Sequence, residues 1–133
     1  MGFLSVLEKN RIDDVHTVHV PAPSNFLLGR EGLARLLERG SPPRAVFCSS
    51  DTLAHGVLIE AQARGLSVPG DLAIVGFADL DFAAHTSPPL STVRIDRPAL
   101  GRQAAEALLG RIEGRHVERI VDIGFHMMER GTT

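Results

Sequence analysis

From Arg44 to Phe77 the chain reads RAVFCSSDTLAHGVLIEAQARGLSVPGDLAIVGF, two short apolar runs on either side of one amphipathic stretch. Ala45 to Cys48 follows Pro42-Pro43, and Leu72 to Phe77 is rich in β-branched residues, so both runs predict strands covered on two faces. Between them Leu53, Ala54, Val57, Leu58 and Ala61 recur at helical spacing. Ser50-Asp51 offers an N-cap for that helix and Gly65 a stop. The result is a β-α-β unit, which makes its two strands parallel with a right-handed crossover. It also places Ser49, Ser50 and Asp51, and then Ala78, Asp79 and Asp81, at the carboxyl edge of a sheet. Ligands gather at that edge in open parallel sheets, because loops and helix N-termini meet there.

The flanking segments extend the same pattern. Phe3, Leu4 and Leu7 have helical spacing with no capping residue ahead of them, as at the end of a helix. Val15 to Val20 alternates and is closed by Pro21, which predicts a strand. A helix is predicted over Gly29 to Arg39, with Leu33, Leu36 and Leu37 as its apolar stripe and Gly40 as its C-cap. Ala78 to His85 reads as a loop or short helical turn, ended by Ser87-Pro88-Pro89. Leu90 to Ile95 predicts a strand. Pro98 to Arg111 predicts a helix, with Leu100, Ala104, Leu108, Leu109 and Ile112 on its apolar side and Gly114 beyond its end. Ile120 to Met128 predicts one or two closing strands interrupted at Gly124. The whole is α/β, β-α-β-α-β followed by a less regular β-α-β return.

Composition narrows the function classes. A length of 133 residues with 44% hydrophobic and 23% charged content suits one compact globular domain. A formal net charge of -2 argues against binding of nucleic acid or an anionic membrane surface by this chain alone. No apolar run of about 18 residues and no export signal is present, so the expected setting is cytoplasmic. The single cysteine, Cys48, excludes an internal disulfide and reads as a buried structural thiol.

Candidate chemistry is sparse. Six histidines are present, and the nearest pair, His16 and His19, falls on opposite faces of the predicted strand, so no metal site is expected. Ser49-Ser50-Asp51 lacks a Gly-x-Ser-x-Gly elbow, and Asp51 reads as a helix cap. Phosphate-cradling glycine loops are missing, and Asp79 and Asp81 read as solvated loop carboxylates. Neither a catalytic residue nor a cofactor is expected.

The stretches PRAVFCSSDTLAHGVL, GLSVPGDLAIVGF, SPPLSTVRIDRPALGRQAAEALLGRIEG and FHMMERGTT, in this order, resemble the LacI/GalR family of bacterial transcription regulators. VGFADLDFAA and STVRIDRPALGRQAAEALLGRI are most similar to its gluconate-repressor branch. The resemblance covers essentially the whole chain. It implies a parallel-sheet, three-layer lobe of the periplasmic-binding-protein-like type I fold, with most of the first lobe lying outside this chain. Residues 1–133 then correspond to the C-terminal part of the effector-binding and dimerisation domain, and residues 98–113 to a helix that packs on the first lobe.

Carried onto this sequence, the resemblance implies ligand contacts from Ser24, Phe26, Ser50, Ala78 and Asp79. Ser50 stands where relatives often have Asn, Ala78 where many sugar binders have Asp, and Ser24, with Phe26 nearby, where an aromatic wall is common. A family arginine ahead of Gly2-Phe3 would lie upstream of Met1. Leu53, His55, Phe82 and His85 are implied in a homodimer interface. The implied partners are a sugar or sugar-acid effector, a second copy of the chain, and operator DNA through a helix-turn-helix domain outside these residues. A lobe of a periplasmic-type sugar-binding protein for transport is the alternative, since it shares the fold.

Overall fold

The computed structural model describes residues 2–133. Helices α1 (Gly2–Lys9) and α2 (Phe26–Leu37) precede strand β1 (Ala45–Phe47), helix α3 (Asp51–Ala63) and strand β2 (Ala73–Phe77). A 3-10 turn (Ala83–His85), strand β3 (Ser91–Arg94), helix α4 (Arg97–Ile112) and strand β4 (His126–Met128) follow. The sheet order is β1-β2-β3-β4, with the first three strands parallel and β4 antiparallel to β3. The β1-α3-β2 unit is the one predicted from its apolar runs, but its strands are not covered on two faces: Ala45 and Phe47 of β1 are exposed, because α2 and α3 cover one side of the sheet.

Burial explains which face organises the sheet. Ile74 and Gly76 are buried while Ala73, Val75 and Phe77 are half-buried, the alternation of a strand with one well-covered side. On that side Leu33 of α2 and Ala54, Val57, Leu58 and Ala61 of α3 close the core with Cys48, Leu72, Ile74, Ala83 and Leu90. Each fully buried Leu or Ile there contributes roughly 1.5–3 kcal/mol over leaving it exposed. α2 and α3 touch backbone to backbone. A Cβ on Gly56 would overlap the Phe26 carbonyl and the Gly29 Cα, so only glycine allows this approach. Burial pushes the Cys48 thiol up to about 12, with the Asp51 carboxylate adding to the shift, which fits an inert core thiol.

The C-terminal residues lock β2 to β3. Thr132 accepts from Ser91 N at 2.8 Å, donates to the Ile74 carbonyl at 2.7 Å, and its own carbonyl accepts from Ile74 N at 2.8 Å. Thr132 is fully buried.

Several expectations need correction. Val15 to Val20 is not a strand, because a strand exists only through a ladder and these residues have none. The segment is instead tied to α2, where Arg35 donates to the His19 carbonyl at 3.2 Å. From the stretch Ile120 to Met128 only β4 pairs, while Ile120 and Phe125 stay exposed. α2 begins at Phe26, ahead of the expected Gly29, because the Asn25 side chain accepts from Leu28 N at 2.9 Å and caps it there. The predicted α4 is present with Asp96 as its cap, yet Leu100, Leu108, Leu109 and Ile112 are exposed and Gly110 is its one buried residue.

Candidate functional site

Three helices start at the carboxyl edge of the sheet or beside it, each held by a side-chain cap. Asn25 caps α2, Ser50 caps α3 by accepting from Leu53 N at 3.2 Å, and Asp96 caps α4 by accepting from Ala99 N at 2.9 Å. Helix N-termini carry partial positive charge, so this edge is biased toward anions. Ser50 Oγ also donates to Ser24 Oγ at 3.3 Å, which brings two of the expected ligand residues together.

Asp51 corrects an expectation: the cap is Ser50, and Asp51 is the first residue of α3, fully buried. Its Oδ1 accepts from Thr92 Oγ1 at 2.5 Å and its Oδ2 from Leu80 N at 2.6 Å. It pins the loop after β2 and the middle of β3 to the start of α3.

That loop opens with two non-glycine residues in left-handed backbone, Ala78 (φ 109°) and Asp79 (φ 50°). Such conformations cost on the order of 1–3 kcal/mol each and persist where the surroundings over-determine them. Here Ala78 N donates to the Val93 carbonyl at 2.9 Å, and Asp79 is gripped by its side chain. Arg94 Nε lies 2.6 Å from Asp79 Oδ2 and an Arg130 terminal nitrogen 2.8 Å from Oδ1. Asp79 is therefore a paired, largely buried carboxylate, with a side chain 8% exposed, and not a solvated one. Burial pushes its carboxyl up, but hydrogen bonds from Arg130 and Arg94 outweigh that and hold it below the usual carboxylate range.

A cleft of about 300 Å³ opens over this group, lined in part by Ala78, Asp79, Arg94, Asp96, Arg97 and His126. Of the charged residues that line it, Arg94 and Arg97 stand against Asp79 and Asp96, and Arg130 holds the other oxygen of Asp79. A larger hollow of about 470 Å³ lies along the far half of α4, at Ala107, Leu108 and Arg111, away from the sheet edge.

The remaining candidates form a different surface. His55 stacks on Phe82 with ring centroids 5.5 Å apart, and Phe26 meets His55 edge-on at 5.1 Å and Phe82 at 6.1 Å. Phe26 thus joins the aromatic cluster, not the cleft of Ala78 and Asp79. Leu53 is half-buried against the core, and His85 is exposed in the 3-10 turn. Sequence reasoning missed Arg94 and Arg130. Arg94 lies one residue before the end of the predicted strand Leu90 to Ile95, a position that signals an edge residue, whereas nothing local marks Arg130 as a partner of Asp79.

A family model described as a periplasmic binding protein-like domain matches residues 1–133. The chain belongs to that family. Within this periplasmic-binding-protein-like family its relatives are LacI/GalR-type regulators. It is 40% identical over 134 residues to the HTH-type transcriptional regulator GntR of Pseudomonas aeruginosa, covering 99% of this chain and 39% of that protein. The transcription regulator GntR from Chromobacterium violaceum superposes with a TM-score of 0.85 at 40% identity, over 98% of this chain and 49% of that one. The lac repressor dimer bound to operator and the anti-inducer ONPF superposes at 0.92 with 25% identity, over 99% and 46%. The chain therefore spans less than half the length of these relatives. Among the described residues, no helix is long and apolar enough to cross a membrane, and no cluster of His, Cys, Asp and Glu is arranged to hold a metal.

Proposed function

We propose that this chain is the ligand-sensing and dimerisation part of a LacI/GalR-type repressor that responds to a sugar acid, gluconate being the first probe to try. The observation that carries the reading is that Arg94 and Arg97 line the cleft while both of its carboxylates are engaged, Asp79 by two guanidinium groups and Asp96 as the cap of α4. Asp79 is the carboxylate nearest Ala78, and its charge is spent on Arg94 and Arg130. Ala78 presents a methyl group where many sugar binders present a carboxylate, so hydroxyl groups lose an acceptor and an anion is spared a repulsion. Helix N-termini at the same edge favour the same sign of ligand.

In this reading α4 packs its exposed Leu100, Leu108 and Ile112 on a first lobe outside these residues, and the cleft closes between the lobes. A second copy covers the surface of Phe26, Leu53, His55, Phe82 and His85. Operator DNA is bound by a helix-turn-helix domain elsewhere in a longer cytoplasmic protein. A transport lobe shares the fold, but the relatives' names favour a regulator. The test is calorimetric titration with gluconate and glucose in a form that includes the complementary lobe. Tighter binding of gluconate is expected, and tighter binding of glucose overturns the reading.

A further inference from the structure

We infer that Arg94 recognises the acid group of the effector, and that Asp79 occupies its guanidinium until the ligand arrives. This rests on the sugar-acid reading above and goes beyond it by assigning the recognising residue.

The two arginines on Asp79 are not equivalent. Arg130 is built into the fold: its side chain is 16% exposed, it also donates to the Leu90 carbonyl at 2.8 Å, and its backbone N–H donates to Ser91 Oγ at 2.8 Å. Arg94 is the last residue of β3, its side chain is 49% exposed, and the hydrogen bond it makes to Asp79 runs through Nε. A guanidinium has five donors in a planar fork, so the terminal N–H groups of Arg94 remain for a ligand in the cleft that it lines. Releasing Arg94 leaves Asp79 paired with Arg130, so the exchange strands no buried carboxylate. A ligand carboxylate takes the two-pronged geometry that the fork prefers and brings the opposite charge, whereas a hydroxyl offers one neutral acceptor and does not displace Asp79. Arg97, at the start of α4 on the same cleft, adds charge without competing for Asp79.

The test follows the arginine Nε–H resonances by NMR, in a form that includes the complementary lobe, during titration with gluconate and with glucitol, its neutral counterpart. Gluconate is expected to move the Arg94 Nε signal, and glucitol to leave it in place. Arg94→Gln is expected to weaken gluconate binding about tenfold without changing glucitol, and Arg94→Lys to recover part of the loss, since it keeps the charge but not the fork. If gluconate shifts the amides of Ser24, Ser50 and Ala78 while Arg94 Nε stays still, the assignment of Arg94 fails and the sugar-acid reading survives. If gluconate shifts no signal at this edge, both fail. The titration of the unsubstituted two-lobe form decides the matter even if a variant does not fold.

Discussion

Thr92 Oγ1 donates to Asp51 Oδ1 at 2.5 Å, tying the middle of β3 to the first residue of α3, directly after Ser50. Both residues are fully buried. Removing the carboxylate orphans the Thr92 hydroxyl and the Leu80 N–H together. Asp51→Ala is therefore expected to destabilise the fold by about 3 kcal/mol, and Thr92→Val by roughly 1–2 kcal/mol, read from urea unfolding. Unchanged midpoints in both would contradict the role given to this pair.

The contact of α2 with α3 depends on Gly56, where an added methyl meets backbone atoms on the facing helix. Gly56→Ala is expected to cost on the order of 2 kcal/mol or more by forcing the helices apart. Gly101→Ala, in a helix position with open space around it, should be neutral or gain up to about 1 kcal/mol. Equal thermal midpoints for the two variants would rule out the close approach.

Acid stability gives a separate handle on Asp79. Its carboxyl is held below the usual range when folded, so it binds its proton more readily unfolded, at an ordinary value of about 3.9. Its stabilising contribution is thus complete above that value and is lost as the pH falls below it, through the folded value. Arg130→Gln removes one of its two partners and should shift the onset of acid unfolding to higher pH, measured by circular dichroism. An acid transition identical to that of the unsubstituted chain would show that the pair contributes nothing.

In the proposed dimer the aromatic cluster is the surface that a second copy covers. His55 Nδ1 is buried without a hydrogen-bond partner among the described residues, and Phe26 is half exposed beside it. His55→Glu puts a charge against two rings and should shift the sedimentation profile toward monomer by about tenfold or more in dissociation constant. A profile unchanged by this substitution would place the interface elsewhere.

The sequence was legible where pattern and partner were both local. The apolar runs of β1 and β2 and the stripe of α3 lie within one β-α-β unit, and each element packs on its neighbour in sequence. Val15 to Val20 has the alternation of a strand but no ladder partner beside it, and alternation alone cannot supply one. Asp51 looks like a cap because Ser50 and Asp51 are both good N-cap residues, and only the packing of β3 shows which one points inward. At the candidate site the polar edge was readable from topology. The pairing of Asp79 with Arg130 was not, because it joins residues 51 positions apart.

In the proposed reading charge at the cleft selects the effector, and a single substitution probes this. Ala78→Asp places the carboxylate that many sugar binders carry beside Arg94 and Arg97 and makes the lining net negative. Calorimetric titration of gluconate, with the complementary lobe present, should show affinity falling about tenfold or more in Ala78→Asp, while glucose binding holds or improves. Gluconate binding equal in the parent and in Ala78→Asp would contradict the account.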